Sequence, residues 1–395
     1  MNKIRAYWQE NKSVWIHILI LFLVTRITLS VIGAFSLTYI PEVGYQNWKD
    51  DTIRLEHPFL ELWAQWDSKW YLSIAEHGYA DVAPYSPARE STIAFFPLYP
   101  AIVSVVQFVV NDPLIASLLV SNIFLLLSAF LFYKLVRLDY DEAAAKRSLW
   151  YLFLFPSAYI FSAVYPESLL LFLWLASVLY ARKGIWWAAG IAGFLAAFVK
   201  PQGFFIAVPL CLIYAFQGTK PGDWWPLAWK KIRALAAIRI DRNVIFTVIP
   251  CAGLAVWGYG NYLITGDFMA YLHVQQGYWH HQFTVPFVTL YQNIFLGPDA
   301  MWNSLVAIAA LAILIVGYRK IPFSYWIFAF AIVLFNPATG TVTSSWRYLA
   351  SVFPLMIVLA AWGKTEDRDR AILVSMAILQ GCLFVFWVAG YWFLV

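Results

Sequence analysis

The stretch LIASLLVSNIFLLLSAFLFYKL (114–135) carries one charged residue, Lys134, and is apolar on every face of a helix. At 1.5 Å per residue it reaches about 33 Å, enough to cross roughly 30 Å of hydrocarbon. Working outward from it, similar runs recur along the whole chain. Of 395 residues 62% are hydrophobic and only 12% charged, and the mean hydropathy is +0.66. A soluble globule carries about twice that charged fraction. The 21 tryptophans and 23 tyrosines crowd the ends of the apolar runs, where amphipathic rings favour the headgroup layer. We therefore predict an all-α polytopic membrane protein, a single integral membrane domain over 1–395 with the bilayer as its partner.

Eleven spans are expected, at 14–36, 114–135, 148–164, 167–181, 185–200, 203–217, 244–264, 301–317, 322–337, 347–362 and 371–392. With the amino terminus inside, 20 of the 27 Lys and Arg fall on the cytoplasmic side, as the charge bias of short loops requires. Arg26 lies within the first span. Residues 93–110 are also apolar, but counting them as a span would put the basic clusters at 134–147 and 220–242 outside. They are read instead as a helix on or dipping into the outer interface, bent at its start by Pro97 and Pro100. The first hydrophobic stretch is too long for a signal h-region and reads as a retained anchor. Cys211, Cys251 and Cys382 are isolated in apolar segments and imply no disulfide framework.

Function is sought where polar groups gather against the membrane. The first outer loop, 37–113, holds ten of the 22 acids: Glu42, Asp50, Asp51, Glu56, Glu61, Asp67, Glu76, Asp81, Glu90 and Asp112, with His57 and His77. The second large outer loop, 265–300, holds Asp267, His273, His280, His281 and Asp299. Within the first, AQWDSKWYLSIAEHGYA (64–80) reads as a short amphipathic helix ended by Gly78. Asp67, Trp70, Tyr71, Ile74 and His77 recur at helical spacing, so the carboxylate shares an aromatic face. A partly desolvated carboxylate suits proton abstraction from a hydroxyl. The competing reading makes Asp67 a helix cap and nothing more.

Glu167, Lys200 and Arg347 fall at outer turns of the same topology. Two cations facing two acids suit a lipid phosphate and an attacking hydroxyl; the alternative for each is a snorkelling or paired side chain at a helix end. His280 and His281 are adjacent, with no HxH or HExxH spacing, so no metal site is predicted. No phosphate-cradling glycine loop or hydrolase signature is present, and no nucleic-acid partner or cofactor is implied.

WDSKWYLSIAEHGY (66–79) followed by AFFPLYP (94–100) resembles the signature of the PIG-V mannosyltransferases, which include the GPI-anchor enzyme adding the second mannose, and their prokaryotic relatives. The similarity continues through FPSAYIFSAVYPESLLLF (155–172), the turn at Lys200–Gly203, and RYLASVFPL (347–355). It departs in the outer turn, where many relatives carry Arg or Ser-Asn and this chain has Lys200-Pro201-Gln202. The resemblance implies a GT-C fold and an inverting hexosyltransferase using a polyprenyl-phosphate-linked sugar, mannose by family. Asp67 would be the general base, on the extracytoplasmic side. Glu167, Lys200, Arg347, Tyr348, Trp66, Trp70, Tyr71 and His77 would bind donor or acceptor, the acceptor being a glycan, lipid or protein. Two other readings are weighed: a transporter or flippase of a lipid-linked sugar, which would show paired halves and broken midplane helices, and a structural subunit, which would not need the clustered outer charges. The compact chain and short loops point to a prokaryotic plasma membrane rather than the endoplasmic reticulum.

Overall fold

The computed structural model describes residues 2–40, 58–82, 85–217, 225 and 240–391. Glu42, Lys49, Asp50, Asp51, Arg54, Glu56 and His57 of the first loop and the basic residues from Lys220 to Arg239 lie outside them, as do the side chains of Lys3, Arg5 and Asp81. Among the described residues every regular element is helical.

Each of the eleven expected segments contains helix. Five helical stretches are long and apolar enough to cross a membrane unaided: Gln9–Tyr39, Pro113–Val136, Arg242–Thr265, Pro298–Val316 and Glu366–Val388. Their outward faces expose Ile16, Ile20, Leu23 and Ile27 on the first helix and Ile378 on the last, which suits hydrocarbon contact because every backbone group is paired within the helix. The remaining segments are shorter. The one expected over 148–164 is a helix only over Glu142–Leu154, followed by a 3-10 turn at Ala158–Phe161. The break comes at Pro156, which lacks an N–H and restricts the residue before it. The segment 347–362 divides likewise, into Ser345–Ala350 and Phe353–Trp362, with Pro354 in the first turn of the second helix.

The helix Leu98–Val110 has 13 residues, about 20 Å, too short to cross alone. Asn111 ends it in the left-handed conformation, and the Asp112 carboxylate accepts from the Ile115 N–H at 2.8 Å to start the next helix. The two form a hairpin.

Glu167–Arg182 sits at the centre of the bundle, packed on Pro113–Val136 and on Trp186–Ala197. Ile245–Thr265 lies across Trp186–Ala197. There a Cβ on Gly193 would stand 2.6 Å from Pro250, and one on Gly253 2.6 Å from the Ala197 Cβ. Small residues let membrane helices approach this closely.

The irregular segment 155–166 is almost wholly buried, so its backbone needs partners. Gln380 donates to the Phe153 and Phe155 carbonyls at 2.9 and 3.0 Å, and Arg26 to the Ala158 carbonyl and Ser162 hydroxyl at 3.0 and 2.7 Å. Ser157 donates to the Trp346 carbonyl at 2.5 Å, and the Val164 N–H to Trp63 at 2.9 Å. One unwound segment thus ties the first loop to the chain just before Arg347.

Candidate active site

Asp67 precedes the helix Ser68–His77 and occupies its cap position, but its carboxylate makes no capping bond. It accepts instead from Arg347 Nη1 at 2.6 Å, 280 residues away. The reading of Asp67 as only a helix cap is therefore corrected: a buried guanidinium offers a charge-assisted bond, stronger than a neutral backbone N–H can supply. The backbone N–H of Asp67 donates to the Tyr165 hydroxyl at 3.0 Å, and that hydroxyl donates to the Gln65 carbonyl at 3.2 Å. Trp66 sits at φ 60° and Ser344 at φ 65°. Left-handed conformations are strained for residues with a side chain and tend to mark functional sites. Here one stands beside Asp67 and the other three residues before Arg347.

Four charges form a chain. Arg347 joins Asp67 to Glu167, with its Nε 3.5 Å from Glu167 Oε1, and Lys200 Nζ lies 2.7 Å from the same oxygen. Glu167 is the first residue of its helix, where the positive end of the helix dipole favours an acid. Lys200 is extended before Pro201, and a Cβ on Gly203 would lie 1.8 Å from the Ala196 carbonyl oxygen, so only glycine closes this turn. The ring of Tyr348 stands beneath both cations, 4.5 Å from Lys200 and 5.3 Å from Arg347. Two acids and two cations balance in charge.

The chain of charges borders a cavity of about 800 Å³. Asp67, Lys200, Arg347, Tyr348, Trp66, Trp70 and Tyr71 all line it. Glu167 does not: at 1% exposure it lies behind the two cations it holds. His77 is exposed at the end of its helix and is not part of the lining either. The AFFPLYP motif braces the Asp67 helix. Phe95 stacks on Trp70 and meets Tyr71 edge-on, and Tyr99 also meets Tyr71 edge-on.

The cavity also gathers residues that sequence reading did not single out as a site. Lys69, three residues from Trp66, lies over the Trp70 ring at 4.5 Å. Glu90 lines the same end, and its Oε1 is buried without a hydrogen-bond partner. Burial pushes the Glu90 carboxyl up, against the opposing pull of Lys69. Trp279, Gln275 and His281 come from the second outer loop; Trp279 Nε1 is likewise buried without an acceptor, and burial pushes His281 down to about 4. Much of the remaining lining is apolar, including Phe204, Phe205, Leu254, Leu334 and Phe335.

Residues 53–211 match a family model described as mannosyltransferase (PIG-V). No curated protein sequence matches the chain. Among solved structures, ArnT from Cupriavidus metallidurans bound to undecaprenyl phosphate aligns with a TM-score of 0.53 at 15% identity, over 82% of this chain and 62% of that one. The apo state of the same protein aligns with a TM-score of 0.51 at 16% identity over the same shares. The chain thus spans about three fifths of the length of the structures it resembles, and the likeness is one of fold. Residues 53–211 carry the mannosyltransferase (PIG-V) family pattern, and the chain has the GT-C glycosyltransferase fold.

Proposed function

We propose that the protein is a membrane glycosyltransferase that moves a sugar, mannose by family, from a polyprenyl-phosphate donor to an acceptor hydroxyl with inversion. The observation that carries this is one carboxylate, Asp67, bordering a large apolar cavity in a row with two cations. Only one Asp67 oxygen is taken by Arg347, so the other is available to the hydroxyl of a glycan, lipid or protein acceptor. The acceptor O–H gives its proton to Asp67 while its oxygen bonds to the anomeric carbon. The bond from that carbon to the phosphate oxygen breaks, and the phosphate keeps the electron pair, its charge met by Lys200 and Arg347. One displacement inverts the centre. Glu167 is a positioning residue that holds the two cations, and Trp70, Glu90 and Trp279 supply the aromatic faces and acceptors that a pyranose ring uses.

The test is transfer by purified protein from a synthetic polyprenyl phosphomannose, with the product's anomeric configuration read by NMR. Retention of configuration, or movement of the lipid-linked sugar across a vesicle without transfer, would refute the reading. The site faces the extracytoplasmic side, with the amino terminus inside, in a prokaryotic plasma membrane. Cysteines at the exposed positions Glu76 and Arg89 should then be labelled in intact cells by an impermeant thiol reagent, and cysteines at Glu142 and Lys183 should not. The opposite pattern inverts the topology.

A further inference from the structure

Directly after Lys200 the chain turns through a 3-10 helix, Pro201–Ile206, and Gln202 is its second residue. The backbone around that side chain is pinned. The Gly203 N–H donates to the Lys200 carbonyl at 2.9 Å, the Gly203 carbonyl accepts from Trp174 Nε1 at 3.3 Å, and Gly203 is wedged against Ala196. The ring of Pro201 fixes its own φ. The turn therefore sets where the Gln202 side chain starts. Gln202 is 4% exposed and lines the cavity, yet its Oε1 is buried with no hydrogen-bond partner among the described residues.

Next along the turn, Phe204 and Phe205 line the same cavity with rings. An unpaired amide oxygen among such neighbours is destabilising, because it has lost water and gained no partner. Packing does not ask for it, since Met would fill much the same space without that penalty. Gln380, equally buried, is different: its amide donates to two carbonyls and holds the segment 155–166. The orphan atom of Gln202 is an acceptor, and this narrows its ligand. In a lipid-linked sugar the phosphodiester has no hydrogen to give and the hydrocarbon chain has no polar atom. Only the hydroxyls of the sugar donate. An amide also carries N–H donors beside its oxygen, so it matches a hydroxyl, which both donates and accepts.

We propose that Gln202 is a specificity-determining residue that recognises a hydroxyl of the transferred hexose. One turn of chain then reads the phosphate through Lys200 and the sugar bonded to it through Gln202. This rests on the lipid-phosphate donor proposed above and deepens it.

The test is calorimetric binding of farnesyl phosphate, farnesyl phosphomannose and its 2-, 3-, 4- and 6-deoxy analogues to the full chain in detergent. In the wild type, loss of a single hydroxyl should weaken binding about tenfold or more, as expected when a buried polar partner is left unpaired. Gln202→Met should bring that ratio to within about twofold of unity. It should leave farnesyl phosphate affinity unchanged and keep or raise the melting temperature, because an unpaired buried group is gone. Gln107→Met is the control. Gln107 Oε1 is also buried without a partner, but the residue lies on the helix Leu98–Val110 and does not line the cavity, so every ratio should stay as in the wild type. If Gln202→Met does not fold, Gln202→Asn, which withdraws the same amide by a methylene, should lower the same ratio. Ratios near unity for every deoxy analogue in the wild type, or ratios unchanged in the Gln202 variants, overturn the assignment, while binding of farnesyl phosphate leaves the donor reading standing. An equal loss of farnesyl phosphate and farnesyl phosphomannose affinity in Gln202→Met also overturns it. If neither ligand binds the wild type, the donor reading falls and the assignment with it.

Discussion

The helix Glu167–Arg182 carries a charged cluster at each end, about 22 Å apart, and the two are built differently. At the Arg182 end, Asp139 takes one hydrogen bond on each oxygen from Arg182, at 2.7 and 2.8 Å, and Arg182 also donates to the Tyr325 hydroxyl at 2.9 Å. Nearby, the Tyr140 hydroxyl donates to the Lys320 carbonyl. Neither Asp139 nor Arg182 touches the cavity. At the Glu167 end, charges of the same kinds are left incomplete. Glu167 Oε2 and Arg347 Nε are buried without a hydrogen bond among the described residues, since the 3.5 Å approach between Arg347 and Glu167 is a contact of charges only. A closed pair locks helices together. An open one leaves a buried donor and acceptor unsatisfied, at a cost in stability.

The sharpest way to break this contrast is at Asp67. Asp67→Asn keeps shape and loses basicity, so the protein should fold while turnover falls about 10²- to 10⁴-fold. A variant retaining more than about a tenth of wild-type turnover places the base elsewhere. Arg347→Ala and Arg182→Ala test the two ends against each other. The first should weaken donor use by about 2 kcal/mol or more through loss of charged hydrogen bonds. The second should leave donor KM unchanged and lower thermal stability in detergent by about 3–5 kcal/mol, because it strands Asp139 as a lone buried charge. A shift of donor KM in Arg182→Ala would erase the distinction.

A smaller effect is expected with pH. The ring of His281 titrates near 6.5 in the unfolded chain and near 4 in the folded one. Between those values the unfolded chain binds the proton that the folded chain refuses. The stability held by the neutral ring is complete above about pH 6.5 and is lost as the pH falls toward 4. Melting temperature should drop over that window, and His281→Asn should flatten the slope. An unchanged slope places the acid sensitivity in other groups. The least effect belongs to Glu76→Gln, which changes an exposed face pointing away from Asp67 and should stay within about 0.5 kcal/mol of wild type in stability. Loss of turnover there would mean that the helix works as a unit rather than through Asp67.

Much of the fold was legible in the chain because lipid imposes a one-dimensional rule. A run such as 114–135 has to pair its backbone internally, and helix is the only local way to do so. Gly78 and the aromatic spacing likewise announced the helix Ser68–His77. The break at 155–166 was harder to see: FPSAYIFSAVYP is as apolar as a span, and what makes its irregular backbone tolerable is supplied by Arg26 and Gln380 from remote helices. Glu90, Lys69 and Trp279 carried no local sign of a shared cavity, since no periodicity connects two loops almost 200 residues apart.

The sequence by itself determined that the chain lives in a membrane, that its long apolar runs are helices, and which short motif carries Asp67. Only the tertiary structure decided what that acid pairs with. Asp67 at the start of a helix satisfies every local rule for a cap, and a cap needs only neighbours three residues on. Its actual partner, Arg347, is brought to 2.6 Å by packing. In the same way Glu167 turns its back on the cavity because Lys200 and Arg347 stand between them. Charge interactions in a low-dielectric interior depend on distance and burial, and neither is written along the chain.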